Sequence, residues 1–185
     1  MTHYTRSSAY YLSRAFAECG KGDWSDALSD MNQTIRMGQA HPGVSRRFDN
    51  EAYSFEFAFR GSIENQLQQY YPATADAARA MGYVYTNGFA YSTRAWARFG
   101  RNDISGAIED CKTAMKYNQD EPELLSRDRG LLCFITKDYE NAIVSWNRAV
   151  ELSRQEYLAE LQPWIAKAKD LLRARTEVQG DNSPK

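Results

Sequence analysis

Through long stretches of the chain, apolar residues fall three or four positions apart, the spacing that gathers side chains on one face of an α-helix. Phe48, Ala52, Phe55, Phe59, Ile63, Leu67 and Tyr70 form one such series. They predict a single long amphipathic helix, which Pro72 should stop because its ring removes a backbone donor, with Thr74 placed to cap the next helix. Gly82 and the Asn87-Gly88 dipeptide predict breaks ahead of a helix carrying Arg94. Towards the other end, Tyr157, Leu158, Leu161, Trp164, Ile165, Ala168, Leu171 and Leu172 again share one face. Glu160, Lys167, Lys169, Asp170 and Arg173 lie between them. This predicts a helix over about 156–178 with one face to bury and one to show to water. Residues 180–185, small and polar, predict a disordered tail.

Inside this periodic pattern a longer one repeats. Ser13-Arg14-Ala15-Phe16-Ala17, followed by Gly22-Asp23-Trp24-Ser25-Asp26-Ala27-Leu28-Ser29-Asp30, returns as Thr93-Arg94-Ala95-Trp96-Ala97, followed by Asn102-Asp103-Ile104-Ser105-Gly106-Ala107-Ile108-Glu109-Asp110. Arg14 to Arg94 and Ala27 to Ala107 keep the same offset, 80 residues, so the register holds without a gap. A third copy has Arg129-Gly130-Leu131-Leu132, Lys137-Asp138-Tyr139 and Ala142, each 35 residues beyond its counterpart in the second. Each copy reads as a helix, a short polar turn and a second helix. The small residues (Ala15, Ala95 and Gly130 in the first helix, Ala27, Ala107 and Ala142 opening the second) have a steric reason. Antiparallel helices approach closely only where neither carries bulk, and overpacking such a crossing costs about 1–3 kcal/mol. Arg14 with Asp30, and Arg94 with Asp110, hold matching places in their copies, which predicts an ion pair inside each unit. The third copy has Ser145 at the acidic position.

A helix–turn–helix unit of this period, with these small residues and this turn, resembles the tetratricopeptide repeat family. The resemblance implies an all-α solenoid of helical hairpins. Units are expected at about 8–41, 88–121 and 123–156, with a degenerate helical segment at 45–86. The closing helix is then a cap, within one domain over 1–179.

Composition narrows the function. Apolar residues make up 43% and charged residues 25% of the 185, ordinary for one folded domain and too apolar for a disordered chain. Twenty-three Lys and Arg balance 24 Asp and Glu, a formal net charge of -1, so no global field draws the protein to nucleic acid or anionic lipid. The start of the chain lacks the order of a signal peptide, and no apolar run is long enough for a membrane span. Cysteines number three, Cys19, Cys111 and Cys133, and form no CxxC pair, which suits small packed residues in a reducing compartment. A cytoplasmic location is expected.

Nothing in the pattern calls for catalysis, a metal or a cofactor. His3 and His41, the two histidines, have no ligand spacing, and no nucleophile has a base at hand. The one outlying figure is 13% aromatic residues, which fill cores or form binding hot spots. On the geometry the resemblance implies, the first helix of each unit lines a concave groove. Leu12, Phe16, Phe89, Trp96, Phe99, Arg127, Leu131 and Phe134 are then the candidate groove residues, with Arg14, Asp30, Arg94, Asp110, Ala27, Ala107 and Ala142 as its structural support. Such a groove suits an amphipathic helix or extended peptide of a partner protein. Some relatives clamp an acidic C-terminus with Lys, Asn and Arg. The comparable places here are Leu12, Phe16, Thr93, Leu124 and Asp128, which argues against a carboxylate clamp. Two rivals remain: a homo-oligomer built on Tyr70, Tyr71, Tyr83 and Tyr85, and an enzyme site in the middle segment around Glu56, Arg60 and Glu64.

Overall fold

The computed structural model describes residues 7–40, 46–154 and 156–181. His3, His41 and residues 182–185 lie outside them, as does the side chain of Phe48. Among the described residues nine helices follow one another: α1 (Ser8–Lys21), α2 (Trp24–Ala40), α3 (Arg46–Gln66), α4 (Tyr70–Tyr83), α5 (Gly88–Gly100), α6 (Ile104–Tyr117), α7 (Pro122–Ile135), α8 (Tyr139–Leu152) and α9 (Leu158–Asp181). The described residues contain no strand. Helices α1 to α8 pair as four hairpins, stacked in chain order. Gly180 and Asp181 belong to α9, two residues into the stretch whose composition predicts disorder.

The four hairpins share one turn. Its first residue is left-handed in each: Gly22 at φ 83°, Gln68 at 59°, Asn102 at 64° and Lys137 at 62°. The next amide then reaches back to the carbonyl five residues earlier, from Asp23 to Glu18, Gln69 to Glu64, Asp103 to Arg98 and Asp138 to Cys133, at 2.8–2.9 Å. This closes the first helix of each pair by satisfying carbonyls its last turn leaves open. Asp103 and Asp138 then cap the second helix, accepting from the amides of Gly106 and Asn141.

The middle segment is likewise a helical hairpin, α3 packed on α4. Arg60, Gly61, Ala73 and Asp76 stand at the same mutual spacing as Arg14, Ala15, Ala27 and Asp30. Gly61 takes the small-residue place: a Cβ there would sit 2.9 Å from Thr93 Cγ2 and 3.2 Å from the Ala73 carbonyl. Pro72 does not stop a helix. It lies in the first turn of α4, where the missing N–H has no intrahelical partner to lose. Tyr70 opens α4 instead of closing α3, and Thr74 is no cap, since its hydroxyl donates back to the Tyr70 carbonyl at 2.8 Å.

Alanine dominates the hairpin crossings, with Ala15, Ala27, Ala73, Ala95, Ala107 and Ala142 all fully buried. One apolar cluster holds the last two hairpins and α9 together, around Trp96, Leu131, Phe134, Trp146, Leu161 and Ile165. Another joins the first hairpin to α3 through Met31, Phe59 and Ile63.

Candidate functional site

Guanidinium–carboxylate forks fix the first helix of three hairpins against the second. Arg94 donates from Nε and Nη2 to the two oxygens of Asp110, each at 2.8 Å. Arg60 makes the same fork to Asp76 at 2.6 and 2.9 Å, and Arg14 to Asp30. All three aspartates are buried. The fourth hairpin has no such fork. There Arg129 is exposed, and buried Trp146 packs against Gly130, where a Cβ would lie 2.3 Å from the indole.

The face of the stack lined by the first helices of the hairpins falls into two halves. Helix α9 does not cover the outer end of the array alone. It turns inward across the first helices and reaches α1. Trp164 of α9 packs on Trp96 at 5.4 Å, Phe99 at 5.7 Å and Phe134 at 5.6 Å between ring centroids. Trp96 is 4% exposed, Phe134 7% and Leu131 not at all. Helix α9 covers these residues. They are core, not free anchors, and Phe99 is half-buried beside them.

Arg127 likewise is not a groove side chain open to a partner. It is 1% exposed and donates to Glu160 of α9 at 2.6–2.7 Å and to Ser92 Oγ at 2.6 Å. Ser92 passes the chain on by donating to Asp128, whose other oxygen accepts from Asn118 at 3.0 Å. Burial pushes the Asp128 carboxyl up to about 6, against the opposing pull of Arg127 and of these hydrogen bonds. This network ties α5, α6, α7 and α9 together under the floor of the groove.

Beside it the other half stays open. A cavity of about 950 Å³ lies among α1, α3, the start of α5, the α6–α7 connection and the start of α9. Phe16, Phe55, Phe59 and Phe89 form its aromatic wall. Phe16 stacks on Phe59 with centroids 4.4 Å apart, and Phe55 lies 6.1 Å from Phe16 and 6.2 Å from Phe89. Phe16 and Phe55 keep 45% and 37% of their surface exposed. Leu12 is half-buried behind this wall and Leu124 buried at its far side. Of the predicted groove residues the cavity thus brings together Phe16 and Phe89. Sequence reading missed Phe55 and Phe59, whose register relative to Arg60 matches that of Phe89 and Thr93 relative to Arg94.

The other candidate groups lie apart from it. Glu56, Arg60 and Glu64 occupy successive turns of α3 and none of them lines this cavity; Arg60 is engaged by Asp76 and by Asn32. Glu64 is buried with one oxygen unpartnered. Burial pushes its carboxyl up to about 7, Asp76 adding and Arg60 opposing. Tyr71, Tyr83 and Tyr85 are exposed, Tyr71 beneath the Arg101 guanidinium and Tyr83 stacked on Phe57, while Tyr70 packs on Gly100. Burial raises all three thiols, Cys19 to about 12, which keeps them protonated and unreactive.

Comparison with solved structures places the fold. The chain is similar to the structure described as "MamA RS-1 ArsTM double mutant", with a TM-score of 0.53, 16% identity, and 83% of this chain covering 79% of that one. It is also similar to the "TPR2AB-domain:pHSP90-complex of yeast Sti1", with a TM-score of 0.41, 16% identity, and 89% of this chain covering 86% of that one. The architecture is a tetratricopeptide-like helical solenoid. No protein-family model and no curated protein sequence matches the chain. Among the described residues no helix is long and apolar enough to cross a membrane.

Proposed function

We propose that this chain is a protein-interaction scaffold that seats an apolar segment of a partner protein in the open half of the face lined by the first helices of its hairpins, with no covalent chemistry of its own. The observation that carries the reading is the aromatic cavity of about 950 Å³ in which Phe16 and Phe55 remain exposed. Its size falls within the range of preformed ligand pockets, roughly 300–1,000 Å³. Rigid rings already held by mutual stacking lose little conformational freedom when a partner packs on them. Phe16, Phe55, Phe59 and Phe89 are the contact residues. Trp96, Phe99, Leu131, Phe134 and Arg127 shape the groove from beneath α9.

The test is selection of a displayed random peptide library on the purified protein, run beside a Phe16→Asp/Phe55→Asp variant of unchanged melting temperature. Peptides enriched on the wild type and lost on the variant support the reading. Equal enrichment on both proteins moves the site elsewhere.

A further inference from the structure

Among the described residues, the lining of the open cavity contains five glutamates, Glu51, Glu121, Glu123, Glu156 and Glu160, and no lysine, arginine or histidine. That bias is local, because the whole chain is nearly balanced at a net charge of -1. Of the five, Glu160 is answered from below by Arg127, and Glu51 is engaged as well. Glu121 and Glu156 stand exposed at the rim, and Glu123 is half-buried. Glu121 and Glu123 sit at the start of α7. The helix dipole there tolerates carboxylates without a counter-cation.

The covered half shows what shape the same face accepts. There the occupant is a helix, α9, anchored by Trp164 among Trp96, Phe99 and Phe134. One turn further on, Lys167 places its ammonium 5.0 Å from the Trp164 ring. An aromatic anchor followed by a cation is thus a pairing that this face already holds.

From the apolar wall and the acidic rim together, and resting on the interaction reading above, we infer that the partner segment is a basic amphipathic helix. Its large apolar residues fill the space against Phe16, Phe55 and Phe89. Lysines or arginines one turn away reach Glu121, Glu123 and Glu156. Opposite charge at the rim steers such a segment in and rejects an acidic one, which would place carboxylates against carboxylates around a low-dielectric wall.

The peptide selection distinguishes this inference from the reading it rests on. The probe is a random library of about 16 residues, roughly 24 Å when helical, and the sequences enriched should combine large apolar residues with a net positive charge. A selected peptide, fluorescently labelled, should lose about tenfold or more in affinity on a Glu121→Gln/Glu123→Gln/Glu156→Gln variant. A similar loss is expected when salt rises from about 50 to about 500 mM. Circular dichroism and thermal melts should show the variant folded as the wild type. Enrichment of neutral or acidic peptides overturns the inference, as does unchanged binding to the triple variant. If binding is lost on Phe16→Asp/Phe55→Asp but indifferent to the glutamates, docking stands and the charge inference falls. If nothing is enriched, both fall.

Discussion

The two halves of the face lined by the first helices are built from the same register of the same repeat, and they have opposite fates. Phe16 and Trp96 stand at equivalent positions, two residues beyond Arg14 and Arg94, yet Trp96 lies under Trp164 while Phe16 faces an open cavity. The difference arises outside both units, from the path of α9. Sequence register fixes which side chains point into a groove, and a separate element decides whether they are core or contact surface.

Substitutions can break that contrast, and the largest effect belongs to the covered half. Leu131→Ala, which empties a fully buried site, should destabilise the protein by about 2–5 kcal/mol in urea unfolding. Trp164→Ala should cost about 3 kcal/mol and expose Trp96 to quenchers of its fluorescence. A value below about 1 kcal/mol for either change would mean that α9 does not hold this half shut.

Next comes the fork that both halves share. Arg94→Ala leaves Asp110 buried with only Arg98 beside it, at 3.0 Å, and should cost about 3 kcal/mol. A cycle with Asp110→Ala should show clear coupling, and full additivity of the two melts would dismiss the pair as a stabilising unit.

A smaller, pH-dependent effect lies on α3. Folding raises the Glu64 carboxyl to about 7 from an ordinary 4.5. The folded state therefore penalises the charged form, a penalty absent below about pH 4.5 and complete above about pH 7. Glu64→Gln removes it and should stabilise the protein by about 1–3 kcal/mol at pH 8 with little change at pH 4. A stabilisation equal at both pH values would contradict this assignment.

The smallest stability effect belongs to the open half. Phe16→Ala removes a ring that is 45% exposed and should cost about 1–1.5 kcal/mol, while weakening capture of any selected peptide by about tenfold or more. Its loss of binding with little loss of stability is the reverse of what Leu131→Ala should show.

How much of this was legible in the residues follows from the kind of signal each feature leaves. The hairpins were readable because Arg, the small residue, the turn Asp and the following Ala recur at fixed spacing. The unit around Arg60 keeps the Arg, Ala and Asp places but carries Gln69 where the others have Asp at the turn, and Tyr70, Tyr71 and Pro72 where a helix start is hard to recognise. Its Arg–Asp spacing alone would have revealed it. The face of α9 was legible from its period as a buried stripe. Periodicity says that a stripe is buried and never against what, so the inward turn over Trp96 and Phe134 left no trace in one sequence. The aromatic cavity was half legible, through Phe16 and Phe89, because Phe55 and Phe59 read only as the apolar face of the degenerate segment over 45–86.

The contact between α9 and α1 has a mechanical meaning. A solenoid whose ends are free extends under tension as a spring does, each hairpin yielding a little to its neighbours. Here α9 is in contact with α1, so the first and last described helices are clasped. A pull that separates the ends must part this contact before it can flatten the curve, and adding or deleting a hairpin would carry α9 past the helix it meets.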